Sequence, residues 1–184
     1  MTLHYQESDP IILGSGELYL GVVENPETAL ETAIEAALKN IGAIESGATL
    51  EYKPSIQEIE STNRGTLMRF VTKEEVTFDC GILTWKVDNL ASLAPATVST
   101  DTTTGTKTVK IGGKGMLPVN YLRFVHTKKD GSGTITVNIL KAQNTNGFSF
   151  AFDKEKPLSI GYQFSALATT DGTLVEIIET FPEA

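Results

Sequence analysis

The 184-residue chain carries 15 Lys plus Arg against 23 Asp plus Glu, a formal net charge of −8. A hydrophobic share of 40% with 21% charged residues fits a globular domain with a core, and the acidic surplus argues against nucleic-acid binding by phosphate neutralisation. One cysteine, Cys80, excludes an intramolecular disulfide framework, and no apolar run approaches the roughly 18 residues of a membrane helix. Met1 to Asp9 lacks the basic and apolar regions of a signal peptide, so synthesis in the cytosol is expected. The length favours a single domain over 1–184, with a flexible N-terminus at 1–8.

In chain order, the first strong pattern is helical. Asn25-Pro26-Glu27 offers an N-cap, a proline at the first helical position and an early acid. Leu30, Ala33, Ile34, Ala37, Leu38 and Ile41 follow at helical spacing, with Gly42 as a stop, which predicts one flanking helix from Pro26 to Asn40 against a sheet face. Leu50, Tyr52 and Ile56 then alternate with polar residues, and Pro54 marks an edge strand or a bulge. After Asn63-Arg64-Gly65 the alternation resumes from Met68 through Ile82, with a break expected near Lys73-Glu74 or Gly81 because the run is long for one strand. A short helical turn is expected over Asp88 to Leu93, closed by Pro95.

The second half reads as strands. Val98 to Thr108 is a Thr-rich hairpin or exposed loop, and the whole chain has 24 threonines, a residue suited to pleated surfaces. Tyr121 to Thr127 and Thr134 to Lys141 flank the turn-rich 128–133, a hairpin signal. Phe148, Phe150 and Phe152 recur at period two, as do Leu158, Ile160, Tyr162 and Phe164. Asp171-Gly172 predicts a further hairpin into Thr173 to Thr180. The expected class is mainly β: an antiparallel sandwich or barrel-like fold of about eight strands with one flanking α-helix.

Catalytic chemistry is hard to find in these residues. His4 and His126 lie far apart with no metal-ligand spacing, and His126 reads as an ordinary surface or boundary residue. Cys80 falls on the apolar parity of a strand, the place of a buried inert thiol. Gly112-Gly113-Lys114-Gly115 lacks the Ser or Thr that a phosphate loop requires after its lysine. Asp101, Asp130, Asp153 and Asp171 are scattered turn residues rather than a calcium loop. No catalytic residue, cofactor or metal site is assigned, and Trp85 is expected in core or interface packing.

The order of elements carries a resemblance. Asp9 to Gly14 leads into Gly16-Glu17-Leu18-Tyr19-Leu20-Gly21; Ile41 to Glu51 opens a long hairpin that returns through Glu75-Val76-Thr77-Phe78 and ends near Trp85 to Leu90. Pro157 to Leu167 and Leu174 to Ile178 close the series. From about Asp9 to Thr180 this arrangement resembles the tail tube (major tail) proteins of long-tailed bacteriophages, although Thr97 to Thr108 departs from the pattern. The resemblance implies hexameric rings stacked into a hollow tube of the virion, made in the host bacterial cytoplasm. It implies as partners further copies of itself, a tape-measure protein, and tail-tip initiator and terminator proteins, with DNA passing through without specific binding and no membrane insertion.

On that reading Glu60 to Lys73 is the hairpin or loop that reaches the next ring, through Asn63, Arg64, Thr66, Leu67, Met68 and Phe70. Glu51, Glu58, Glu60, Glu74, Glu75 and Asp79 are acidic candidates for a lumen that repels phosphates. The competing reading is a monomeric β-sandwich ligand-binding or adhesin-type module, which would need exposed aromatics; Phe70, Phe78, Phe148, Phe150 and Phe164 instead sit in apolar alternations expected to be core.

Overall fold

The computed structural model describes residues 16–113, 115–129, 133–150, 152–155 and 157–180. The sequence expectations for 1–15, including the mobile N-terminus and His4, fall outside these residues. The chain is mainly antiparallel β with two short helices. Ten strands are described: β1 (Glu17–Gly21), β2 (Lys39–Asn40), β3 (Ile44–Ser61), β4 (Gly65–Ile82), β5 (Ala96–Asp101), β6 (Thr106–Ile111), β7 (Asn120–Thr127), β8 (Thr134–Asn144), β9 (Ile160–Ala166) and β10 (Glu176–Glu179). The helices are α1 (Glu31–Ala37) and α2 (Leu90–Leu93). One sheet runs β2-β1-β7-β8-β9-β4-β3, with β10 also on β8, and β5 and β6 form a separate hairpin.

The sheet bends at β8, an 11-residue strand with β7 along one edge and both β10 and β9 along the other. Leu18 and Leu20 of β1 and Leu122 of β7 therefore share one core with Val76, Phe78, Cys80 and Ile82 of β4 and Ile160, Tyr162 and Phe164 of β9. Cross-strand pairing puts Phe78 opposite Phe164, Cys80 opposite Tyr162 and Ile82 opposite Ile160, so period two in both strands turns one apolar face inward. Phe78 then meets Phe124 of β7, a strand it does not pair with, at a ring separation of 5.5 Å. That contact bridges the two limbs of the bent sheet. Leu90 and Leu93 of α2 close one end, in the helical turn that the Asp88–Leu93 spacing predicts.

Tertiary partners override several local signals. The helix is two turns rather than the expected Pro26–Asn40, because each flank is drawn elsewhere. Asn25, at φ 49°, accepts N–H bonds from Thr28 and Ala29 and makes a separate turn; Lys39–Asn40 leaves the helix to pair with β1. Of the apolar stripe, Ile34 and Ile41 are buried while Leu30 is exposed. The chain at 25–31 is tied to the sheet electrostatically: Arg123 forks onto the Glu31 carboxylate and donates to Asn138 Oδ1 at 2.9 Å, and Lys141 pairs with Glu27.

The Asp171-Gly172 turn forms, with Thr169 and Gly172 inside a closed loop, yet it does not join a hairpin. Ala166 pairs with Ala142 and Glu176 with Asn138, so β9 and β10 occupy successive stretches of one edge of β8. They behave as one strand interrupted by a budding loop. The expected break in the long second strand is also absent. β4 runs unbroken through Lys73, Glu74 and Gly81, and its irregularities are bulges at Thr72, between the pairs Ser55–Lys73 and Ile56–Val71, and at Leu67, between Ile59–Met68 and Glu60–Thr66. Pro54 lies on β3, the edge strand, where proline is tolerated within a sheet. Asp101, Asp153 and Asp171 each accept a backbone N–H two residues on, the ordinary work of a turn aspartate.

Candidate assembly surfaces

The largest feature without an internal partner is the β3–β4 hairpin. Its tip is the turn 62–64, closed by Arg64 N–H to Ser61 C=O at 3.2 Å and continued by Gly65 at φ 72°, a conformation glycine adopts without strain. β9 pairs β4 only over Thr77–Ile82, so, among the described residues, 51–75 form a two-stranded ribbon with both outer edges unpaired. Ten residue steps separate Glu51 from Ser61, which makes the arm roughly 35 Å long. Tyr52, Ile56, Ile59, Leu67, Met68, Phe70 and Val71 are exposed along it. Some are cross-strand partners of each other, as Ile56 with Val71 and Ile59 with Met68.

Each residue proposed for inter-ring contact lies on this arm: Asn63 and Arg64 in the turn, Thr66, Leu67, Met68 and Phe70 on the return strand. Phe70 is exposed, a correction to the expectation that it is core. The arm is longer than the Glu60–Lys73 segment the sequence suggests.

The six acidic candidates occupy the same hairpin but divide between its faces. Glu51, Glu75 and Asp79 share one face by pleat and register, and Glu58, Glu60 and Glu74 the other. Several are already compensated: Glu51 by Lys53 at 2.8 Å, Glu58 by Arg69 at 2.7 Å and Glu75 by Lys73 at 3.3 Å. Glu74 accepts the Tyr52 hydroxyl at 2.7 Å, and this acceptor raises the phenol's pKa. The arm is a mixed-charge ribbon rather than a uniformly acidic wall.

At the arm's base lies an open cleft of about 550 Å³, whose lining includes Glu45, Asp79, Gly81, Phe148, Ser159 and Gly161. Gly81 and Gly161 are cross-strand partners, so this part of the floor carries no side chain of its own. A Cβ at Gly81 would come within 3.0 Å of Glu45 Oε2 and 3.1 Å of Ser159 Oγ, so a larger residue here would crowd both side chains. Phe148 stacks on Phe150 at 5.9 Å and 9°, and Phe150 meets Trp85 at 80° and Phe152 at 75°. These aromatics are not in a strand, contrary to their period-two spacing. Trp85 is 45% exposed, Phe150 37% and Phe152 81%, so the expectation of core is corrected for Phe150, the core half of the core-or-interface expectation is corrected for Trp85, and Phe148 does pack against the core. Edge-to-face neighbours make a notch, not a flat platform.

The chemistry elsewhere is that of structure. Cys80 is buried, and desolvation, aided by the Asp79 charge, pushes its thiol up to about 12, far from a neutral-pH thiolate. His126 is buried in β7, a correction to its expected surface position. Lys128 pairs with Glu179 at 2.5 Å, so this cation is compensated within the chain. Among the described residues no group of three or more His, Cys, Asp or Glu could hold a metal ion, and no helix is long and apolar enough to cross a membrane. Comparison with protein-family models and with curated proteins finds no match to this chain.

Proposed function

We propose that this chain is a structural subunit that polymerises, as stacked hexameric rings, into the tail tube of a long-tailed bacteriophage or prophage. The observation that carries the reading is the β3–β4 arm. A ribbon roughly 35 Å long, apolar on exposed positions and unpaired on both edges, is unstable as an isolated design and calls for a second surface. Exposed β10, with Ile177 and Ile178 open to solvent, and edge strand β3 supply further pairable edges, which ring closure by rotation would satisfy between copies. The net charge of −8 per copy supports a conduit that repels phosphate and lets DNA slide.

The alternative, a monomeric ligand-binding module, draws support from Trp85, Phe150 and Phe152, whose exposure suits ligand contact. Their edge-to-face angles disfavour it, because a planar ligand stacks on coplanar rings. Negative-stain electron microscopy separates the two readings: rings or tubes are expected on concentration or seeding with an initiator. Particles that stay monomeric at millimolar concentration, with or without seeds, refute the tube.

A further inference from the structure

We infer that the glycine-floored cleft at the base of the β3–β4 arm is the receptor for the arm tip of a second copy, with the guanidinium of Arg64 seated between the carboxylates of Glu45 and Asp79. This inference rests on the tube reading and names the site through which successive layers join.

Charge accounting along the arm singles out the tip. Of the cations on residues 51–75, Lys53, Arg69 and Lys73 each hold a carboxylate of the same hairpin. Arg64 forms no ion pair among the described residues, even with nearby Glu60, and it is the cation at the extreme end of the arm. The cleft shows the converse: Glu45 and Asp79 line it and neither has a cation within ion-pair distance among the described residues. Nothing stands within 4 Å over Gly161, and Glu45 Oε2 and Ser159 Oγ lie over Gly81, so a planar guanidinium on the Gly161 side of this floor would meet oxygen acceptors there.

Apolar order matches as well. Leu67 and Met68 lie just behind Arg64 on the return strand and are exposed. Phe148 lines the cleft and leads through Phe150 to Trp85 and Phe152, so an inserted tip would set Leu67 and Met68 against the aromatic notch, where a thioether packs well on ring edges.

Topology excludes self-docking and sets the direction. Tip and cleft lie at opposite ends of the same two strands, so a copy's tip cannot reach its own cleft. The contact is head to tail, and repeated along the arm it is open-ended, with a step of at most about 40 Å from the twelve residue intervals between Thr49 and Ser61.

The test is charge reversal with rescue on the full chain, read by negative-stain microscopy and sedimentation. Arg64 is exposed in a turn, so Arg64→Glu is expected to fold normally, which circular dichroism checks. It is expected to form rings but to need at least about tenfold more protein for tubes. Arg64→Glu combined with Glu45→Lys or Asp79→Lys is expected to recover tubes with the original spacing. Tubes of Arg64→Glu at the wild-type threshold, or no recovery by either second substitution, overturn the inference while leaving the tube standing. Wild-type protein that forms neither rings nor tubes overturns the tube reading itself.

Discussion

Replacing residues 54–74 by an Asn-Gly turn, so that Lys53 and Glu75 close a short hairpin, tests whether the arm belongs to the fold or to assembly. The core cluster starts at Leu50 and Val76 and includes no residue of the deleted segment. What the deletion removes from the monomer is a run of exposed cross-strand pairs, among them Ile56–Val71, Ile59–Met68 and Glu58–Arg69. Such pairs contribute roughly 0.2–1 kcal/mol each, and surface ion pairs about as little. The deletion also releases the backbone entropy of ordering the segment and loses its ladder hydrogen bonds, which act in opposite directions. Because no core residue goes with it, thermal and urea unfolding should place the truncated monomer within about 2 kcal/mol of the full chain. Tube formation should be lost at every accessible concentration. A truncated chain without a cooperative unfolding transition would show that the arm is part of the fold. A truncated chain that still builds tubes would show that it is not the link between layers.

Phe78→Ala probes the other end of β4: the side chain is 1% exposed and spans the two limbs through Phe124, so a loss of about 3–5 kcal/mol is expected in urea unfolding. A loss below about 1 kcal/mol would contradict the bridging role assigned to it. Acid should also loosen the 25–31 segment. The Lys141 ammonium, then Thr170, hold the Glu27 carboxyl down at about 2 against an ordinary 4.5, and Arg123 lowers Glu31 in the same direction. With the folded value below the unfolded one, the stabilisation is complete above about pH 4.5 and disappears as pH falls towards 2. Glu27→Gln should therefore flatten the acid limb of the stability profile; an unchanged limb would mean that the pair does not hold the segment.

The strands were readable from residue order wherever burial is one-sided, because period two is the direct imprint of a pleat with one wet face. Val76, Phe78, Cys80 and Ile82 in β4 and Ile160, Tyr162 and Phe164 in β9 are such runs, and all are buried. Turn chemistry was equally local: Gly65 at positive φ, Asp101 and Asp171 capping their turns, and Pro95 ending the turn that holds Leu90 and Leu93. Pairing partners were not local. β9 and β10 look like a hairpin around Asp171-Gly172, yet β8 offers one long edge to both, and backbone ladders reward whichever edge the bent sheet brings near. The same holds for the helix, shortened because β1 takes Lys39–Asn40, and for Phe148, Phe150 and Phe152, whose spacing mimics a strand although no neighbour supplies a ladder. The cleft was invisible for that reason. Glu45, Asp79, Phe148 and Gly161 are far apart in the chain; the register of β3, β4 and β9 makes neighbours of Glu45, Asp79 and Gly161, and tertiary packing brings Phe148 beside them.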